Sequence, residues 1–258
     1  MPKLDLVLQG YSLASDQGSI AFCGVTLIEG SRRILVDAAH TGRRTHLLAA
    51  LQERGLTPAD IDILVLTHAH WDHMLNVDLF KNAEVLLHPR ERAYAKAPHE
   101  EDFATPPYTG LILEQMRLRE VQEGDEIDDG VRVLDTPGHS PGSISLVVQT
   151  DAGPAVVCGD ALPNARCALQ GTPYLIFYSD EAARNSAAKI TQAAQYLYPG
   201  HDRPFEILGS SVRYLRPTSI QIQGLIDPSE SDASVTLASS PPAPIRRLGQ
   251  ARMSPVSD

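Results

Sequence analysis

The segment Thr67-His68-Ala69-His70-Trp71-Asp72-His73 places three imidazoles and one carboxylate within six residues. In an extended or tightly turned segment alternate residues point the same way, so His68 and His70 can converge on one ion while Asp72 and His73 turn toward a second. Imidazole nitrogens with a carboxylate oxygen suit zinc first, and iron or manganese next. The chain has nine histidines, and five of them, His68, His70, His73, His139 and His201, follow an apolar run or a Pro-Gly turn. His139 lies in Asp135-Thr136-Pro137-Gly138-His139, Asp160 closes Val156-Val157-Cys158-Gly159-Asp160, and His201 follows Tyr198-Pro199-Gly200. Each is a polar residue at the end of an expected strand.

The series HxHxDH, then a PGH-type histidine, a GD-type aspartate and a GH-type histidine resembles the metallo-β-lactamase superfamily of metallohydrolases, over about residues 4–208. That resemblance implies an α/β fold, an αββα sandwich with two metals in a cleft at one edge. It implies that His68, His70 and His139 hold the first metal, that Asp72, His73 and His201 hold the second, and that Asp160 bridges them. The implied cofactor is a pair of zinc ions, with iron or manganese as alternatives, and the implied nucleophile is a hydroxide shared by the two metals. Asp72 and Asp160 are then the catalytic carboxylates. Asp37, in Leu35-Val36-Asp37-Ala38-Ala39, matches a family aspartate that orients a metal-bound histidine by a hydrogen bond. Ala39 stands where family members commonly have glycine.

The elements that must position these residues read as two strand-rich halves. Short apolar runs at 4–9, 19–28 and 34–37 are expected strands, followed by a helix over 45–54 with Gly55 as its stop. The continuous apolar run 61–67 has the pattern of a strand covered on both faces, and 84–88 repeats it. Helices are expected over 89–96 and 111–120, flanking a Pro-rich loop at 98–107 as a candidate cap. In the second half the expected strands are 131–135, 144–149, 155–158 and 196–198, with a helix over 180–195. The hydrolase domain is expected over 1–226, and the Ser-, Pro- and Ala-rich stretch 227–258 reads as a disordered tail.

Composition narrows the partners. The chain of 258 residues carries 22 Lys+Arg against 32 Asp+Glu, a formal charge of −10. An acidic surface opposes charge-driven binding of nucleic acid, leaving Arg90, Arg92, Lys96, Arg117 and Arg119 as the one candidate basic rim. The expected partner is a small-molecule substrate, with segment 89–120 as the candidate homodimer contact. No run approaches the length of a membrane span and Met1-Pro2-Lys3-Leu4-Asp5 lacks the features of a signal peptide, so the expectation is a cytoplasmic protein with no membrane partner. Cys23, Cys158 and Cys167 show no disulfide or zinc spacing and read as buried thiols.

Within the superfamily, absences discriminate. The secreted zinc β-lactamases of one major class place cysteine where Asp160 stands, the diiron flavoproteins place Glu where this chain has His70, and only forty residues separate Asp160 from His201, too few for the inserted domain of certain nucleases. Lactonase-type members typically place tyrosine three residues after the bridging aspartate, where this chain has Pro163, so Tyr174 or Tyr178 would have to assist the leaving group. The resulting expectation is a dinuclear hydrolase of a small ester, thioester or lactone, with an apolar cap around Leu111, Ile112, Leu113 and Met116. The alternatives are a phosphodiesterase or nuclease of the same fold, as in small animal members linked to RNA cleavage, and a metal-binding scaffold without turnover. Met74-Leu75-Asn76 is expected to make the site floor bulky. Of the remaining histidines, His40, His46 and His99 read as surface residues and His88 as a cap or core residue.

Overall fold

The computed structural model describes residues 1–15, 18–221 and 246–247. The first half runs β1 (Lys3–Leu8), β2 (Tyr11–Ser15), β3 (Gly18–Phe22), β4 (Val25–Glu29), β5 (Arg33–Val36), α1 (Arg44–Glu53), β6 (Ile63–Val65), α2 (Trp71–Met74), β7 (Glu84–Leu87), α3 (Pro89–Lys96), α4 (Thr109–Leu113) and β8 (Leu118–Glu120). The second runs β9 (Glu126–Asp128), β10 (Val131–Asp135), β11 (Ile144–Thr150), β12 (Gly153–Gly159), α5 (Ala165–Gln170), β13 (Leu175–Ile176), α6 (Asp180–Ala193), β14 (Tyr196–Pro199), β15 (Phe205–Leu208), β16 (Ser211–Tyr214) and β17 (Arg246–Arg247).

Two sheets face each other. One has the order β1-β4-β5-β6-β7-β8 and the other β16-β15-β14-β12-β11-β10-β9. Side-chain alternation builds the layers. Ile34 and Val36 of β5 and Ile63 and Val65 of β6 pack between the sheets against Val133, Ile144, Leu146 and Val148. Leu35 and Leu64, one residue out of phase, point the other way onto Leu47 and Leu51 of α1. On the far side, Val156, Cys158 and Leu197 pack against Ala187 and Ile190 of α6. Helix, sheet, sheet and helix therefore stack as expected, and the unbroken apolar run of β6 reflects a strand buried on both faces.

Strand direction then places the chemistry. β5 and β6 are parallel in one sheet, as are β12 and β14 in the other, and β10 runs the same way as β12 because β11 is antiparallel to both. The segments leaving the C-terminal ends of these five strands carry Asp37, the 68–73 cluster, His139, Asp160 and His201 to one edge of the sandwich. Two glycines make the approach possible. Gly138 (φ 140) lies so close to α6 that a Cβ there would collide with the Ala183 backbone, and a Cβ on Gly200 would collide with Asp160 Oδ1.

Several expectations are corrected. The run 19–28 is two strands, because Cys23-Gly24 leaves the ladder and Gly24 N donates to Gly200 O at 2.6 Å instead. The helix expected over 111–120 stops at Leu113, and Leu118–Glu120 becomes an edge strand parallel to β7. Of the candidate cap residues, Leu113 is buried and Ile112 and Met116 pack on the core of the first sheet, while Leu111 is exposed. Met74 joins that same core with Leu75 packed against it, and Asn76 binds the carbonyls of Ala38 and His40. The expected tail 227–258 lies outside the described residues except for Arg246–Arg247, which pairs in parallel with Leu175–Ile176. Among the described residues no helix is long and apolar enough to cross a membrane.

Candidate metal centre

The seven ligand-type residues meet in one buried cluster. His68, His70, His73, His139, Asp72, Asp160 and His201 are each at most 7% exposed. Three groups of side chains bring their ligand atoms within 4.8 Å of one another: His68, His70 and His139; His68, His73 and Asp160; and Asp72, His73 and His201. His68 and His73 each belong to two of the groups, and the Asp160 carboxylate lies 3.4 Å from His73 Nε2, 3.5 Å from His139 Nε2 and 3.2 Å from His201 Nε2. Asp72 Oδ2 is 3.3 Å from His201 Nε2 and 3.7 Å from His73 Nε2.

Hydrogen bonds on the outer side of each imidazole fix which nitrogen faces inward. His139 Nδ1 donates to Leu175 O at 2.9 Å and His201 Nδ1 to Phe22 O at 3.2 Å, and a carbonyl can only accept. His73 Nδ1 donates to Asp37 Oδ2 at 2.8 Å. Thr67 gives its hydroxyl hydrogen to Asp37 and accepts from His68 Nδ1 at 3.0 Å. Asp37 also takes Thr67 N–H at 2.8 Å, so it braces two histidines, one directly and one through a hydroxyl. The consequence is that Nε2 of His68, His73, His139 and His201 all face the centre. His68 Nε2, His73 Nε2, Asp72 Oδ2 and Asp160 Oδ1 are buried without a hydrogen-bond partner. Buried polar atoms are not normally left unpaired, and these orphaned donor atoms converge as a cation site requires. The residues fit a metal.

Electrostatics divides the cluster. Burial, helped by the neighbouring imidazoles, pushes His68 well below its ordinary value, and burial with His70 pushes His139 down to about 4. Burial would also depress His73 and His201, but the acids around them prevail. Cys23, Asp37, Asp72 and Asp160 hold His73 well above its ordinary value, and Asp160 with Asp72 raises His201. Burial opposes the charge on Asp160, yet His201 and His73 keep its carboxyl well below the usual range.

Residues that carry no motif complete the site. Glu91 of α3 is fully buried, and its carboxylate accepts from Ala69 N at 2.9 Å, Ser140 Oγ at 2.7 Å and Gly142 N at 2.9 Å. One side chain thereby ties the loop between His68 and His70 to the loop after His139. Aromatic rings flank the cluster. Phe177 lies edge-on to His70 and His139, with centroids at 5.0 and 5.5 Å, and Phe103 of the Pro-rich loop meets Phe177 at 5.5 Å. Near His201 the rings of Tyr11, Phe22, His40 and Trp71 form a chain. His40 is half-buried and its Nδ1 accepts from Gly42 N, a local cap rather than a free surface histidine. His88 caps α3 through Arg90 N as expected, and His46 and His99 are exposed. Tyr178 is exposed, whereas Tyr174 is mostly buried, bonds the Ser12 side chain, and has its phenol pushed up by burial and then by Asp160.

Known proteins share this fold. The sequence profile of the metallo-beta-lactamase superfamily matches residues 21–201. The chain belongs to that superfamily. As a superfamily member it is a metal-dependent hydrolase. It is 35% identical over 212 residues to metallo-beta-lactamase domain-containing protein 1 of Xenopus laevis, covering 80% of this chain and 82% of that one. It is 27% identical over 182 residues to an N-acyl homoserine lactonase of a Bacillus species, covering 69% of this chain and 68% of that protein. The fold superposes with a TM-score of 0.65, at 20% identity over 77% of this chain and 92% of the other, on a variant of B. thuringiensis AiiA with N-decanoyl-L-homoserine bound at its active site.

Proposed function

We propose that this superfamily member is a dinuclear hydrolase of a small, partly apolar ester, thioester or lactone. His68, His70 and His139 would hold one ion and Asp72, His73 and His201 the other, with Asp160 between them. The donor set of imidazoles and carboxylates, without a thiolate, favours zinc, and iron or manganese suit the same atoms. Bound there, a pair of such ions supplies an acidified water and polarises the scissile carbonyl. The chain's own part is to exclude water from the buried side of the cluster, hold the imidazole lone pairs inward, and offer aromatic surface to the substrate. Tyr174, kept protonated by burial and by the Asp160 charge, is the phenol suited to donate a hydrogen bond to the leaving oxygen.

The observation that carries the substrate class is the lining. Phe177 packs on His70 and His139 with Phe103 behind it, and Phe22, whose carbonyl meets His201, joins Trp71 through the His40 ring, whereas four of the five cations of the expected basic rim are committed to acids. Arg92 and Lys96 pair with Glu114 at 2.7 and 3.0 Å, Arg119 with Glu84 at 2.8 Å and Arg90 with Asp135 at 3.7 Å, while Arg117 binds Asn82 O. A polyphosphate finds little uncompensated positive charge there. Rates of zinc-loaded protein on a lactone and thioester set, measured beside a phosphodiester and RNA set with Asp160→Asn as blank, test the reading. Carboxyl substrates should lead by orders of magnitude, and faster phosphodiester cleavage would overturn it.

The electrostatic division gives a second expected result. With no metal bound, His73 and His201 hold protons into the neutral range because their values are raised, and an ion can bind only as those protons leave. Affinity at the Asp72/His73/His201 position should therefore fall as pH drops from about 8 to 6. His68 and His139, whose values are lowered, are already unprotonated over that range, and their ion should show no dependence arising from them. Competition with a chromophoric chelator at successive pH values measures both. Equal pH slopes for the two ions would refute the division.

A further inference from the structure

Asp102, in the loop after α3, has a fully buried side chain. Its Oδ1 accepts from Ala104 N at 2.9 Å and Thr105 N at 3.1 Å, which closes a local turn. Its Oδ2 accepts from Tyr94 Oη and Thr105 Oγ1, both at 2.8 Å. The turn would be equally well served by asparagine, since its two backbone donors fall on one oxygen and the two hydroxyls can rotate to give or receive. What asparagine could not serve is the remaining neighbour of Oδ2: His70 Nε2, at 3.5 Å, buried and with no other partner.

The other nitrogen of His70 explains why that neighbour matters. His70 Nδ1 lies 3.0 Å from His139 Nε2, and His139 Nε2 carries a lone pair because its Nδ1–H is given to Leu175 O. Two arrangements satisfy such a pair. In one, His70 Nδ1–H donates to His139 Nε2, so that no lone pair of His70 reaches the cluster. In the other, both nitrogens keep lone pairs and share a cation. The first would set the Nε2 lone pair of His70 against the Asp102 carboxylate, whereas the second sets Nε2–H there.

We propose that Asp102 is a positioning residue that selects the Nε2–H form of His70 and so keeps Nδ1 free for the ion at the His68/His70/His139 corner. This rests on the reading of that corner as a metal position. It also gives the Pro-rich loop a role: Ala104 O accepts from Trp71 N at 2.9 Å, so the loop is tied to the ligand segment at two points. Loop placement and metal retention are coupled through one carboxylate.

Asp102→Asn in the full chain is the test, with Tyr94→Phe as the control that loosens the loop but keeps the carboxylate. In Asp102→Asn the amide hydrogens face His70 Nε2 and pull it to the acceptor form. Long-range 15N–1H correlation spectra of the zinc-free protein should show His70 protonated at Nε2 in wild type and Tyr94→Phe, and at Nδ1 in Asp102→Asn. Chelator competition should show affinity for one zinc ion lowered about 10- to 100-fold in Asp102→Asn with the other unchanged, and both unchanged in Tyr94→Phe. Unaltered affinity for both ions in Asp102→Asn overturns the proposal. So does a wild-type His70 protonated at Nδ1, an observation that decides the matter even if Asp102→Asn does not fold. A wild-type chain that binds no zinc yet shows the Nε2–H form would instead sink the metal reading and leave the Asp102 contact standing.

Discussion

Replacing Asp160 by asparagine is expected to lower kcat/KM on the preferred substrate by about a thousandfold or more, the range seen when charge stabilisation is removed from a buried reaction centre. The carboxylate lies within 3.2 to 3.5 Å of three imidazole Nε2 atoms, that of His139 from one proposed ligand group and those of His73 and His201 from the other. An amide of the same shape halves its acceptors and aims two hydrogens at nitrogens that must keep their lone pairs. The side chain cannot swing away, because it is packed against Gly200 so closely that a Cβ there would overlap Oδ1. Zinc content should fall together with rate, since the same oxygens would hold both ions. Kinetics on the lactone panel and metal analysis of the purified variant measure the two effects. Activity within tenfold of wild type would remove Asp160 from the chemistry.

The ligand-type residues were legible in the sequence because His68, His70, Asp72 and His73 cluster just after an apolar run, and His139, Asp160 and His201 follow strand ends at a Gly or Pro-Gly turn. The sandwich was legible for a related reason: a run such as Ile63-Leu64-Val65 with no polar alternation needs cover on both faces, and helices on one side with a second sheet on the other provide it. Glu91 and Asp102 were not legible. Nothing in their neighbourhoods distinguishes them from solvated acids of a short helix and a loop, and only the folded chain shows both buried and aimed at the histidine loops. The break at Cys23-Gly24 was hidden because its cause, the carbonyl of Gly200, is distant in sequence. The 111–120 helix was over-read because apolar spacing at 111–116 continues into residues that pair with β7, and a pairing partner leaves no local trace. The ion pairs of the expected basic rim were hidden for the same reason: Arg90, Arg92, Lys96 and Arg119 meet acids from other elements.

Asp37→Ala should be the most damaging change outside the proposed ligand set. Its carboxylate takes His73 Nδ1–H, Thr67 N–H and the Thr67 hydroxyl, all buried. Leaving these donors without an acceptor costs about 3 kcal/mol of stability in the metal-free chain. It also frees His73 to rotate or change tautomer and weakens the grip on His68 through Thr67, so zinc affinity and kcat/KM should each drop about 10- to 100-fold. The backbone supplies an internal control, because Asp37 is held at φ 62 and Ala39 at φ 58, a left-handed conformation that glycine adopts freely. Alanine at position 37 adds about 1 kcal/mol of backbone strain that glycine avoids. Asp37→Gly should therefore recover part of the lost stability in a urea titration while recovering none of the lost zinc affinity. Ala39→Gly, which touches no hydrogen bond of the cluster, should leave affinity unchanged. If Asp37→Gly restored affinity along with stability, the role of Asp37 would lie in the turn and not in its carboxylate. The carboxylate contacts at 2.8 Å to both His73 and Thr67 predict that it will not.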